Sequence, residues 1–296
     1  MNLRQLEYFV AVAEELHFSR AARHLGVSQP ALSAQIKALE TELGVSLVTR
    51  TSRNVTLTSK GETFLGDARV ILGQVQTAIR HAQSPAGPAI RLGTTTSIDV
   101  AIERAILAAY ETESPEAGLT LVMLGWAEVG QALRTGRIDV GFVHTPPNGR
   151  FPEHDGLVIK KLRIDPRVVA VRVDHELAER SEVSIDDLNP FPIVGSEGTS
   201  KVERDWWMGN PRTDGSAAKS ERSARTVHET LGLVALYGDV AITCESTARV
   251  LNRADLRFVP LVDSEPAVLG LAWSSDTASD SVRDFVEIAR RAAADA

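Results

Sequence analysis

The stretch "HLGVSQPALSAQIKALE", His24 to Glu40, decides the reading of this 296-residue chain. Gly26 stands where a helix end calls for a residue tolerant of a left-handed backbone, and Ser28 is of the type that caps a new helix. Pro30 falls in that helix's first turn, where a missing N–H costs nothing, and the helix runs on to a second terminal glycine, Gly44. Upstream, "LRQLEYFVAVAEE" carries Leu6, Phe9, Val10 and Ala13 at helical spacing, and Ser19 is expected to cap a short "RAARHL" helix. Two helices joined by a turn of about four residues make a helix-turn-helix.

At about 100° per residue, Leu32, Ile36, Leu39 and Leu43 form one narrow stripe, the face that packs on the first two helices. The opposite face carries Pro30, Ser33, Ala34, Lys37, Ala38 and Thr41. It is small, neutral to basic and free of acid, which suits insertion into a DNA major groove about 12 Å wide. After Gly44, "VSLVTRTSRNVTLTS" reads as two short strands, Leu47 to Thr49 and Val55 to Thr58, around a Ser-Arg-Asn turn. Arg50 and Arg53 on this wing either contact phosphate or the minor groove, or stand as ordinary solvated arginines.

A net charge of −7 argues against nucleic acid until it is divided along the chain. Residues 1–60 hold seven Lys and Arg against five acids, and within 19–60 only Glu40 and Glu42 oppose six cations. The remainder is acidic, so the pattern permits a phosphate-facing module on an acidic body. The N-terminus lacks the features of a signal peptide, and no apolar run approaches the ~20 residues that span a bilayer, so a soluble, cytoplasmic protein is expected. The single cysteine, Cys244, rules out an internal disulfide framework and reads as a buried, inert thiol.

Ser59 opens a Ser-x-x-Glu capping box with Glu62. In the long helix that follows, Leu65, Ala68, Leu72, Val75, Ile79 and Ala82 step by three and four, an a/d seam whose expected partner is a second copy of the chain. "SPAGPA", Ser84 to Ala89, breaks the helix and serves as a hinge. From Ile90 short apolar strands alternate with helices, which implies parallel βαβ units arranged as two small α/β lobes. The expected domains are 1–58, a winged helix-turn-helix; 59–88, a dimerisation helix and hinge; and 89–296, a ligand-binding body. One lobe of that body covers about 90–163 and 267–296, and the other about 164–266. The fold class is therefore multidomain, a helical winged module followed by an α/β two-lobed domain, and ligands of such sheets bind outside the strand ends between lobes.

These residues carry a resemblance. "FSRAARHLGVSQPALS", "QIKALETELGVSL", Arg50 and "LTSKG" resemble the signature of LysR-type transcriptional regulators, and "ALRTGRIDVGFV" and "ETLGLVALYGDVAIT" resemble that family's effector domain, so the likeness covers essentially the whole chain. It implies a winged helix-turn-helix, a linker helix and a periplasmic-binding-protein-like body. Implied partners are a double-stranded DNA operator, a small-molecule effector, a second copy through the linker helix with dimers pairing into a tetramer, and RNA polymerase, with no membrane role and no resident cofactor. The expected DNA-binding residues are Ser28, Gln29, Pro30, Ser33, Ala34, Lys37, Arg50 and Arg53. Two positions depart from the family, Ala34 where a basic residue is usual and Val48 where phenylalanine is usual; an alanine can still touch a thymine methyl.

The resemblance also places the effector. It implies Thr95, Thr96 and Ser97 at the end of the first strand, Trp126 after the second, and Ser196, Thr199 and Ser200 in "GSEGTSK" before a helix, with Thr226 and His228 opening another helix on the same crevice. Hydroxyls and helix N-termini suit an anionic effector. Trp126 replaces the small hydroxyl residue common there and is expected to narrow the pocket or to wall it.

Catalytic motifs are scarce. "GSEGTSK" lacks the Gly-Lys-Ser/Thr ending of a phosphate loop, and there is no nucleophile elbow, His-Glu-x-x-His or Cys/His zinc pattern. His144 and His154 flank a Pro-Pro loop without a completing ligand set, and Trp206, Trp207 and Met208 read as lobe packing. A ligand-responsive DNA-binding regulator leads. A sensory module without a DNA role and an enzyme on a two-lobed fold are the alternatives, and the second lacks candidate catalytic residues.

Overall fold

The computed structural model describes residues 1–50, 55–83, 89–95, 98–275 and 279–294, of which residues 50, 80, 81 and 83 are described by backbone alone. Arg53, Thr96, Ser97 and most of the expected hinge lie outside the described residues. The chain divides into two compact units, Met1–Ser84 with Arg134–Arg137 and Pro85–Leu133 with Ile138–Ala296.

In the first unit, helix α1 (Leu3–Glu15) opens on a capping box in which Asn2 accepts from the Gln5 N–H at 3.0 Å and Gln5 accepts from the Asn2 N–H at 3.0 Å. Helix α2 (Phe18–His24) starts one residue before the expected Ser19. Its cap is His17, whose Nδ1 accepts from Ser19 and Arg20 at 3.2 and 3.4 Å; Leu16 closes α1 at φ 46°, and the chain re-enters helix at once. Gly26 at φ 67° lets the Val27 N–H return to the Ala22 carbonyl at 2.9 Å. Helix α3 (Gln29–Leu43) follows, capped by Ser28 Oγ and closed by Gly44 at φ 68°. Leu32, Ile36 and Leu39 are fully buried among Leu6, Phe9 and Val12, the apolar stripe that orients α3.

Strands β1 (Val48–Arg50) and β2 (Val55–Leu57) pair antiparallel, Val48 opposite Leu57. Helix α4 (Ser59–Gln83) is capped by Thr58 rather than the expected Ser59. Thr58 Oγ1 accepts from the Gly61 N–H at 2.9 Å and donates to the Ser46 carbonyl at 2.8 Å, so one side chain both caps the helix and ties it to the wing. Gly61 is fixed by close approach, since a Cβ there would lie 2.0 Å from the Leu47 carbonyl oxygen. The seam of α4 is corrected in part. Leu65, Ala68 and Leu72, with Phe64, pack on this unit's own core, with the Phe9 and Phe64 rings 5.3 Å apart. Only its C-terminal end, Ile79 and Ala82, is exposed.

The second unit holds two sheets. The first has five strands in the order β4 (Leu119–Met123), β3 (Ile90–Thr94), β5 (Val140–Thr145), β12 (Ala267–Ser274) and β6 (Leu157–Asp165). Helices α5 (Val100–Glu113) and α10 (Asp280–Ala294) cover one face through Ile102, Ile106, Tyr110 and Phe285, and α6 (Val129–Arg134) covers the other through Val129 and Leu133. The second sheet has three strands in the order β10 (Ala241–Cys244), β7 (Arg167–Arg172) and β11 (Leu256–Pro260). Helix α8 (Val227–Tyr237) packs on one face through Leu231 and Val234, and α7 (Lys201–Met208) contributes Met208 to the other. The two-residue strands β8 (Gly195–Ser196) and β9 (Ser223–Ala224) and helix α9 (Glu245–Val250) complete it.

The expected parallel βαβ pairing holds for β4, β3 and β5, and the short strands β8 and β9 also pair parallel. Strand β12 runs antiparallel to β5 and β6, and β7 antiparallel to both neighbours. Strand β6 escaped sequence reading because Lys160, Lys161 and Arg163 interrupt its apolar alternation. The chain passes between sheets at Pro166 and again between Leu261 and Ala267, so Asp165, paired with Ala267, sits at the crossing.

Candidate DNA-facing helix and effector cavity

Helix α3 turns Ser28, Gln29, Pro30, Ala34 and Lys37 to solvent, with Ser33 half-buried beside them. Glu40 folds back onto the wing, its Oε1 accepting from the Leu47 N–H at 2.8 Å and the Val48 N–H at 3.1 Å. These are charge-assisted bonds that fix the start of β1 against α3. Only its charge marks Glu40 in the sequence, since a carboxylate eight residues ahead of a strand follows no periodicity. Of Arg50 only the backbone is described, in register with Val55.

Between the two sheets of the second unit lies a cavity of about 100 Å³. The first lobe lines it with Thr95, Ile98, Trp126, Val129, Phe142 and His144; the second with Ser196, Glu203, Trp207, Leu231 and Cys244, among others. Thr95, Trp126 and Ser196 are thus brought together as expected positions. Thr199, Ser200, Thr226 and His228 do not line it, for identifiable reasons. The Thr199 hydroxyl lies 2.8 Å from the Ser196 hydroxyl, Ser200 caps α7 and Thr226 caps α8, each accepting a backbone N–H at 3.2 Å. His228 is on the exposed side of α8, which offers Val227, Thr230 and Leu231 instead.

Four lining or bordering groups carry chemistry that sequence reading did not assign. Asp165, at the crossing between sheets, accepts from the Ser246 N–H at 3.1 Å and the Ser246 hydroxyl at 2.6 Å, and its Oδ2 lies 3.2 Å from His144 Nε2. Burial pushes this carboxyl up, but the bonds from His144 and Ser246 outweigh it and hold it below the ordinary range. Burial pushes the Cys244 thiol well up, with the Asp165 charge adding to it, so the thiol stays protonated. Donor atoms of His144, Asp165 and Cys244 lie within 4.8 Å of one another, though the carboxylate is already engaged by Ser246. Trp207, read from sequence as packing, lines the cavity and sets its ring edge-on to His144 at 6.1 Å.

The fourth group is a carboxyl pair between the lobes. Glu153, in a helical turn (Pro152–His154) of the first lobe, accepts from the backbone N–H and the hydroxyl of Ser200 at the start of α7. Burial raises its carboxyl, but these bonds more than offset this and leave it below the ordinary range. Glu203, one turn into α7 and 8% exposed, is pushed up to about 8 by burial first and by the Glu153 charge second. It therefore holds a proton at neutral pH. Sequence reading did not single out Glu203, whose neighbour Glu153 belongs to the other lobe.

A helix with an exposed, acid-free face after a tight turn, in a chain that also holds a two-lobed α/β body with a cavity between its lobes, is the plan of a DNA-binding regulator with a small-molecule domain. Comparison with known proteins gives the family. Residues 3–62 match the model of bacterial regulatory helix-turn-helix proteins of the lysR family, and residues 83–294 match the LysR substrate binding domain. The chain belongs to the LysR family of DNA-binding transcriptional regulators with an effector-binding domain. It is similar to the Hca operon transcriptional activator HcaR of Escherichia coli, at 31% identity over 97% of each chain. It is 32% identical to the regulator BenM of Acinetobacter baylyi over 90% of this chain and 87% of the relative. Among solved structures it resembles CbnR, a LysR family transcriptional regulator, with a TM-score of 0.66 at 25% identity over 99% of both chains. It also resembles full-length CbnR complexed with its target DNA, with a TM-score of 0.54 at 26% identity over 99% of this chain and 100% of that one. These homologues are transcriptional regulators, not enzymes. Among the described residues no helix is long and apolar enough to cross a membrane.

Proposed function

We propose that α3 enters the major groove with Gln29, Pro30, Ser33, Ala34 and Lys37 at base edges and phosphates, while Ser28 at its N-terminus and Arg50 and Arg53 of the wing hold the backbone. The observation that carries this is the exposed, acid-free face of α3, with Glu40 turned away onto Leu47 and Val48. Ala34 leaves room for a thymine methyl, so readout rests on Gln29, Lys37 and the wing. The likeness to CbnR complexed with its target DNA supports the same placement.

The cavity between the lobes takes the effector, lined by Thr95, Trp126 and Ser196. A ligand there touches both sheets beside Asp165 and so shifts the angle between lobes, altering DNA bending or contact with RNA polymerase. Two copies pair through the exposed C-terminal end of α4, and dimers pair into a tetramer. The protein acts in the cytoplasm, without catalysis and without a resident cofactor or metal. A salt titration tests this reading. Binding to duplex from upstream of the protein's own gene should exceed binding to random duplex by ~10³ or more and weaken as salt rises. Equal or absent binding to both would contradict it.

A further inference from the structure

We propose that His144, Asp165 and Cys244 form a site for a thiophilic divalent cation, Zn²⁺ by preference, at the crossing of the two lobes. The ion is one taken up from solution, not a resident part of the fold, and it is distinct from the small-molecule effector. Three observations carry the proposal.

The first is the convergence of donors. One ligand atom each from His144, Asp165 and Cys244 lies within 4.8 Å of the other two. Zinc bonds of about 2.0 to 2.3 Å set donors roughly 3.3 to 3.8 Å apart in a tetrahedron, so closing on an ion asks for an approach of about 1.5 Å at most, within reach of side-chain rotation. His144 Nε2 already lies 3.2 Å from Asp165 Oδ2, and the Cys244 thiol hydrogen-bonds the same carboxyl. Spacing along the chain hides this set, because the three residues stand in β5, at the end of β6 and at the end of β10. A thiolate, an imidazole and a carboxylate are a mixture that zinc accepts, whereas magnesium and calcium take oxygen donors.

The second is the preparation around the donors. Asp165 is buried, and Ser246 holds both of its oxygens, the hydroxyl donating to Oδ2 at 2.6 Å and the N–H to Oδ1 at 3.1 Å. Outer partners of this kind fix the direction of a ligating carboxylate, and Oδ2 keeps a second lone pair, now turned to His144, for an ion. His144 and Cys244 also line the cavity, which supplies an entry path and an open fourth position for water.

The third is charge. As the sulfur–zinc bond forms, the thiol proton leaves to solvent, so thiolate and carboxylate together supply the two negative charges that a divalent ion needs. The cation that opposes this is Arg167, which pairs with Cys244 across β7 and β10 and whose charge reaches the thiol. Its guanidinium is committed elsewhere. Nη2 donates to the Trp206 and Trp207 carbonyls at 2.9 Å, Nη1 donates to the Ser264 hydroxyl at 2.7 Å, and the group lies over the Trp206 ring at 4.3 Å.

The test is a metal titration of the full-length protein, kept reduced with a phosphine and stripped by dialysis against a chelator. Co²⁺ should raise a sulfur-to-metal charge-transfer band that saturates at one ion per chain and that Zn²⁺ then bleaches. Cys244 is the chain's single cysteine, so the band by itself identifies the ligand. Cys244→Ser should abolish the band and weaken Zn²⁺ by about 100-fold in calorimetry, and His144→Gln should weaken it by about tenfold or more. Ser246→Ala removes a hydroxyl from Asp165 but no ligand, so it should keep the band and weaken Zn²⁺ by about 10- to 100-fold. No band in the unaltered protein, or Zn²⁺ affinity that Cys244→Ser leaves unchanged, overturns the site and leaves the three residues as a buried hydrogen-bond network. Neither readout involves DNA or the small-molecule effector, so that failure would leave the proposed function standing.

Discussion

Replacing Glu40 by alanine should free the wing from α3. The carboxylate accepts two backbone N–H groups, Leu47 at 2.8 Å and Val48 at 3.1 Å. Bonds to a charged acceptor contribute roughly 1.5 to 3 kcal/mol each; since Glu40 is half-buried, the lower end applies, about 3 kcal/mol for the pair. At ~1.4 kcal/mol per tenfold, that is a loss of ~100-fold in protection of these two amides against local opening. Hydrogen exchange on the full-length protein reads it directly. Glu40→Ala should lower protection at Leu47 and Val48 by about that factor, with Leu32 and Ile36 in the core of α3 little changed. Glu40→Gln, which keeps an acceptor oxygen without the charge, should lower it by only about tenfold. Unaltered exchange at Leu47 and Val48 in the folded alanine variant would refute the argument that Glu40 holds the wing.

Two further outcomes follow from the same geometry. Gly61→Ala places a methyl 2.0 Å from the Leu47 carbonyl oxygen, a backbone atom that cannot swing away, so the N-terminal unit should lose about 1 to 3 kcal/mol or more in denaturant unfolding; an unchanged midpoint would show that α4 and the wing separate freely. Glu203 is raised from 4.5 to about 8, so its contribution to stability is complete below the unfolded value and is lost as pH rises through about 8, an effect on the order of a few kcal/mol. Glu153 is lowered, so its contribution fades only in acid and does not enter that window. Thermal midpoints should therefore fall more steeply between pH 6 and 9 in the unaltered protein than in Glu203→Gln, and parallel curves would contradict the buried protonated carboxyl.

Much of the N-terminal unit was legible because its determinants are local. Gly26, Ser28, Pro30 and Gly44 each set one backbone step, and Leu32, Ile36 and Leu39 repeat at helical period, so helix, turn and buried stripe follow from neighbours in the chain. Errors arose where a cap was chosen by residue type alone. Ser19 and Ser59 have the right chemistry, but the side chains of His17 and Thr58 accept the first free N–H groups of α2 and α4. The effector cavity was legible at Thr95, Trp126 and Ser196, which follow strand ends. It was illegible at Glu203, His144 and Trp207, because their roles depend on Glu153 and Asp165, brought close only when the chain crosses between sheets. The parallel pairing expected failed at β7 and β12 for a related reason, since their antiparallel directions follow from the chain crossing between sheets, which the apolar pattern does not record.

The central claim is that the exposed face of α3 meets DNA, and Lys37 tests it most directly. Duplex affinity of the full-length protein would be titrated against salt alongside Lys37→Ala and Lys37→Glu. The expected result is a weaker complex for alanine, with the slope of log affinity against log salt reduced by about 1 if Lys37 neutralises a phosphate, and near-complete loss of binding for glutamate. The same affinity and the same slope in all three proteins would contradict the placement of α3 in the groove.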